Sequence, residues 1–164
     1  MTDDLQLDAK VFTTEKIAKV LFLPEWRVVR FAQMKDYGII PQYAEASGPG
    51  SRRLYSLENV CEIALAWWLL QAGLQVKPIG QVLAQVRRQG GLKHFVTSVK
   101  NLDTYMGVIR SPKGKKVNQD AVYLFDWDQL KKIFELQQSP LKSVLIIPIS
   151  LNFAILRNLL DMKM

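Results

Sequence analysis

Proline and glycine break the N-terminal half of the chain at short intervals, at Pro24, Gly38, Pro41, Gly73 and the pair Gly90-Gly91. Only short elements fit between these breaks, because proline lacks the donor a helix interior needs and glycine takes the left-handed backbone that ends a helix. A first helix is expected from Thr13 or Thr14 through Val20, with the hydroxyl accepting from the first turn and Ile17, Ala18 and Leu21 facing inward. Pro24 suits the first turn of a second helix that runs to about Asp36 and closes at Tyr37-Gly38. Two short helices joined by a tight turn predict a helix-turn-helix.

Residues 39–43 and 51–55 read as extended runs around Gly48-Pro49-Gly50, which predicts a β-hairpin, or wing. Ser56, with Glu58 or Asn59, starts a strongly apolar helix through Gln71 that Gly73 closes, and Trp67 and Trp68 are expected to cement the core. A fourth helix over 77–89 turns Ile79, Val82, Leu83 and Val86 inward. After Gly91 the pattern becomes β-rich, with strands expected over 94–99, 105–110, 121–127 and 143–150 and helices over 128–138 and 151–163. The expected fold is a mainly α winged helix-turn-helix unit over 12–90, after a loose tail over 1–11. A small α+β unit follows over 91–164.

Charge narrows the partners. Lysine and arginine outnumber aspartate and glutamate by 22 to 15, so the 164-residue chain carries a formal +7 that either attracts a polyanion, nucleic acid or an anionic membrane surface, or serves solubility alone. The surplus lies mostly after Gly91, where residues 92–164 hold 11 basic and 6 acidic side chains. One cysteine, Cys61, excludes an internal disulfide and is expected to be an inert buried thiol; with one histidine, His94, it makes no zinc cluster. Met1-Thr2-Asp3-Asp4 lacks the basic-then-apolar start of a signal peptide, which points to the cytoplasm. The apolar stretch 144–160 is short for a membrane span and is broken by Pro148, Asn152 and Arg157, so it reads as core and no membrane partner is expected.

The second helix carries Trp26, Arg27, Arg30 and Lys35, and the returning strand of the wing carries Arg52 and Arg53. Arg27 and Arg30 share a helix face, and a helix of that width fits the major groove, where guanidinium groups meet guanine edges or phosphates. The competing reading makes these arginines surface ion pairs with Glu25, Asp36, Glu45 or Glu58.

The order of elements, together with Arg30-Phe31, Gly38-Ile39-Ile40-Pro41, Arg53-Leu54-Tyr55-Ser56 and Leu70-Gln71-Ala72-Gly73-Leu74 before Pro78-Ile79, resembles the DNA-binding domain of MerR-family bacterial transcriptional regulators over about residues 12–89. The resemblance implies duplex DNA as partner, with Arg30 and Arg53 on the backbone and Arg27 and Trp26 toward the major groove. The DNA contacts expected are thus Trp26, Arg27, Arg30, Lys35, Arg52, Arg53 and Tyr55. It also implies a homodimer on inverted repeats that distorts the promoter. The chain departs from the family in Phe31-Ala32-Gln33, where a second aromatic and a glutamate are usual, in Arg52 before Arg53, and in a longer wing loop. No heptads follow Gly91, so the family's dimerising coiled coil is absent.

Dimerisation falls instead to the C-terminal unit, where Leu151, Ile155, Leu159 and Met162 form an apolar stripe that either pairs with a second subunit or packs on the preceding strand. Lys113, Lys115 and Lys116 make a basic loop that either grips phosphate without sequence preference or is a solvated hairpin tip. Nothing points to an enzyme, a metal or a cofactor, since the sequence has no phosphate-binding glycine motif and no histidine pair. Asp126 and Asp128 flank Trp127, but Asp128 reads as a helix cap rather than half of an acid pair. A small-molecule effector is left open. The expected activity is transcription regulation; the alternative is a winged-helix module that binds protein, which fold alone does not exclude.

Overall fold

A computed structural model describes residues 11–41, 53–93, 104–109, 121–125, 128 and 144–161. The chain is mostly helical with small antiparallel sheets. Strand β1 (Phe12–Thr13) leads into α1 (Thr14–Val20), where Thr13 is the cap and its hydroxyl accepts from the Lys16 amide at 3.2 Å. Helix α2 (Glu25–Gln33) follows, with Pro24 at the position before its first turn.

The turn between them is closed by a pair of backbone bonds, Leu23 N–H to the Ala18 carbonyl at 2.8 Å and Phe22 N–H to the Lys19 carbonyl at 3.3 Å. Two later helices end with the same pattern. In α3 (Leu57–Gln71) the bonds run from Leu74 to Leu69 and from Gly73 to Leu70; in α4 (Val76–Arg88) they run from Gly91 to Val86 and from Gly90 to Arg87. The residue taking the left-handed backbone is Gly73 at φ 83° in one and Gly90 at φ 107° in the other, but in α1 it is Phe22 at φ 53°. A phenylalanine is strained where glycine is free, and Phe22 is 84% exposed, so no buried contact of the ring compensates.

Helix α2 ends three residues before the Asp36 expected from the sequence. Tyr37 and Ile39 are both buried, and Tyr37 packs its ring 5.5 Å from Phe31, which draws the chain off the helix axis into a turn closed by Tyr37 N–H to the Met34 carbonyl. Gly38 does take the left-handed backbone, at φ 60°. Strand β2 (Leu54–Tyr55) pairs antiparallel with β1, Phe12 opposite Tyr55. The expected hairpin is corrected in its described part: residues 39–41 form no strand, and the partner of β2 is β1. Residues 42–52, which hold the rest of that hairpin, lie outside the described residues.

Helix α3 opens with a reciprocal cap in which the Ser56 hydroxyl accepts from the Asn59 amide and the Asn59 side chain accepts from the Ser56 amide, both at 3.2 Å. Its residues Val60, Cys61, Ile63, Ala64 and Leu65 have no exposed surface, so α3 is the axis on which the others pack. Helix α4 buries Ile79, Val82, Leu83 and Val86, the face its spacing predicts. Beyond it, β3 (Tyr105–Ile109) is the centre of an antiparallel sheet with β4 (Ala121–Phe125) on one side and β5 (Val144–Ile147) on the other. Helix α5 (Ile149–Asp161) follows β5 directly.

The buried core does not stop at Gly91. Met106, Ile147, Ile149, Phe153, Leu156 and Leu160 belong to the same cluster as Ile17, Val28 and Ile63, and Phe153 meets Trp68 edge-on at 5.2 Å. Aromatic pairs prefer that geometry. The strand expected over 94–99, the helix expected from Asp128 and the residues His94, Asp126 and Trp127 lie outside the described residues, Asp128 itself excepted.

Candidate nucleic-acid interface

Helix α2 is held from behind. Val28 and Phe31 are buried in the core, which fixes the helix rotation and leaves Trp26, Arg30 and Gln33 exposed. Their spacing of four and then three residues aligns them along one edge of the helix. Trp26 is 56% exposed. Lys35 is exposed too, but in the turn beyond Gln33 rather than on the helix. Glu25 in the first turn and Arg30 in the last both complement the helix dipole.

Arg27 does not lead this edge. Its guanidinium carbon lies 5.1 Å from the centre of the Trp26 ring and 4.9 Å from that of Trp67 on α3, and the side chain is half-buried. Cation–π contact with both rings draws the guanidinium between the exposed Trp26 and Trp67 of α3, beside the edge rather than along it. Tyr55 is also withdrawn from the exposed set. Its ring has no exposed surface, and its hydroxyl sits beside Thr14 without a well-formed hydrogen bond, with burial pushing the phenol up. Arg53 is half-buried close to Tyr55. Among the described residues Arg27, Arg30 and Arg53 make no ion pair, and Glu58 accepts instead from the Leu92 and Lys93 amides at 2.7 Å each.

A brace sets the position of α2 against α3 and α4. Arg87 on α4 donates from Nε to the Glu62 carboxylate on α3 and from Nη2 to the Tyr37 carbonyl at 2.9 Å. Burial raises the Glu62 carboxyl above its ordinary range, and the guanidinium of Arg87 partly opposes that rise. Beside the brace, α4 comes so close to the turn after α2 that a Cβ on Gly80 would stand 1.9 Å from the Asp36 carbonyl oxygen.

Of the other expected residues, Arg52, Lys113, Lys115, Lys116 and Met162 lie outside the described residues. Leu151 is on α5; Ile155 is 51% exposed and Leu159 is partly buried against the core, whereas the buried face of that helix is Phe153, Leu156 and Leu160. The sequence reading missed Gln33, although its spacing from Arg30 was visible, and missed the stack of Arg27 on Trp67, which no local signal announces. Among the described residues no group of histidine, cysteine, aspartate and glutamate side chains could hold a metal, and no helix is long and apolar enough to cross a membrane. No protein-family model matches this chain, and no curated protein matches it.

Proposed function

We propose that this protein is a DNA-binding transcriptional regulator of the winged helix-turn-helix kind, a cytoplasmic, non-enzymatic homodimer similar to MerR-family proteins, that inserts α2 into the major groove. The observation that carries the reading is the exposed edge Trp26, Arg30 and Gln33 on a short helix whose opposite side is locked into the core. Arginine suits guanine edges or phosphate, and glutamine can pair with both the N6 and N7 positions of adenine. Trp26 and the neighbouring Phe22 offer apolar surface to thymine methyl groups. Lys35 in the turn and Arg53 ahead of β2 would hold the flanking backbone, and Arg52, which precedes Arg53 in the sequence, adds a further cation.

A second reading, a protein-binding module, is favoured by one observation: Phe22 and Ile40 are 84% and 66% exposed, which is much apolar surface for a purely phosphate-facing edge. Selection from a randomised duplex library separates the two. The regulator reading predicts an enriched motif, loss of preference at one base position in Gln33→Ala, and uniformly weaker binding to all sequences in Arg53→Ala. Failure to enrich any duplex would leave the protein-binding reading.

A further inference from the structure

A groove of about 180 Å³ runs along the flank of α2, between it and the facing ends of α3 and α4. Its floor is apolar, from Phe31 and Met34 on α2 and its end, Leu70 on α3 and Val76 on α4, while Arg27 and Arg30 stand at its side. Among the described residues no carboxylate lines it, and neither arginine has an ion-pair or side-chain hydrogen-bond acceptor. Arg27 is already ordered by its two indoles, so little side-chain freedom is lost when it takes a ligand.

We propose that this groove binds a small aromatic carboxylate. The size admits one ring, since an apolar cavity of about 150 Å³ holds benzene, and it falls short of the about 300 Å³ at which pockets for larger ligands begin. The charge selects the anion: the ring lies on Phe31, Met34, Leu70 and Val76, and the carboxylate accepts from Arg27, with Arg30 close by. The site goes beyond the regulator reading and does not rest on it, because ligand binding involves no DNA. Where both hold, an occupant that draws Arg30 toward the groove takes it from the exposed edge of α2, so ligand and DNA compete for the same guanidinium.

The test uses the full chain and three probes that share a body and differ in charge: phenylacetate, phenylacetamide and phenethylamine. Binding is followed by calorimetry and by the fluorescence of the tryptophans. Phenylacetate should saturate and bind about tenfold more tightly than the amide, the amine binding worst. Arg27→Gln should bring phenylacetate down to the level of the amide and leave the amide unchanged, while Val76→Phe, which fills the groove, should abolish both. Equal affinity for the three probes, no saturation by phenylacetate, or unchanged binding in Arg27→Gln would overturn the proposal. If Val76→Phe fails to fold, Arg27→Gln decides alone.

Discussion

Arg87→Met removes the brace between α2, α3 and α4, and its cost can be worked from the contacts it breaks. Glu62 keeps a side chain only 6% exposed, so it loses its charged partner in a place where water cannot replace it. Breaking such a pair from one side costs about 3–5 kcal/mol, and the 34% exposure of the Arg87 side chain screens part of that, which leaves about 2–3 kcal/mol near neutral pH. The sign with pH follows from Glu62, whose folded pKa lies above the ordinary 4.5. A raised carboxylate contributes stability that is complete below its unfolded value and is lost as pH rises through the folded value. Removing Arg87 takes away the group that holds the folded value down, so the cost of the substitution must grow as pH rises. Urea unfolding followed by tryptophan fluorescence at about pH 5 and about pH 8 measures this directly. Glu62→Gln in the same background should recover part of the loss. A cost equal at both pH values, or a coupling between the two substitutions below about 0.5 kcal/mol, would refute the assignment.

Three other substitutions follow from single observations. Tyr55→Phe deletes a buried hydroxyl that makes no well-formed hydrogen bond, so stability should hold or rise by up to about 1–2 kcal/mol and duplex affinity should not change; a fall in affinity would restore Tyr55 to the interface. Phe22→Gly relieves the left-handed strain and should raise thermal stability by about 1 kcal/mol, less the entropy of the added glycine, while weakening binding to the partner; a drop in melting temperature would mean that the exposed ring packs in solution. Gly80→Ala, stabilising by helix propensity alone, should instead destabilise by about 1–3 kcal/mol in thermal melts, because its Cβ collides with the Asp36 carbonyl; a more stable variant would show that α4 does not approach the turn so closely.

The elements legible in the sequence are those whose signals are local. The Thr13 cap, the Ser56–Asn59 cap, the glycine-closed ends of α3 and α4 and the inward face Ile79, Val82, Leu83 and Val86 depend on near neighbours, and the structure places them as their spacing implies. The sequence places the end of α2 too far along because that end is set by the burial of Tyr37 and Ile39 and by the approach of Gly80, which are tertiary contacts. Phe22 takes a left-handed backbone that favours glycine, so the residue in the sequence gives no warning of the turn. In the candidate site the exposure of Arg30 follows from helical spacing, whereas the contact of Arg27 with Trp67, forty residues later along the chain, is tertiary and has no local signal. On α5 leucine and isoleucine occupy more than one face, so spacing alone does not single out Phe153, Leu156 and Leu160 as the buried one, and Ile155 of the expected stripe stays exposed.

The proposal that α2 reads duplex DNA is tested most directly by the salt dependence of binding to a random duplex, measured by fluorescence anisotropy between about 50 and 200 mM salt. Arg30, Lys35 and Arg53 acting on phosphates predict a log-log slope of at least about −2 per protomer, made shallower by about 1 in Arg53→Ala. A flat slope, or no binding at the lowest salt, would contradict the account and turn the exposed Phe22 and Trp26 into the footprint of a protein partner.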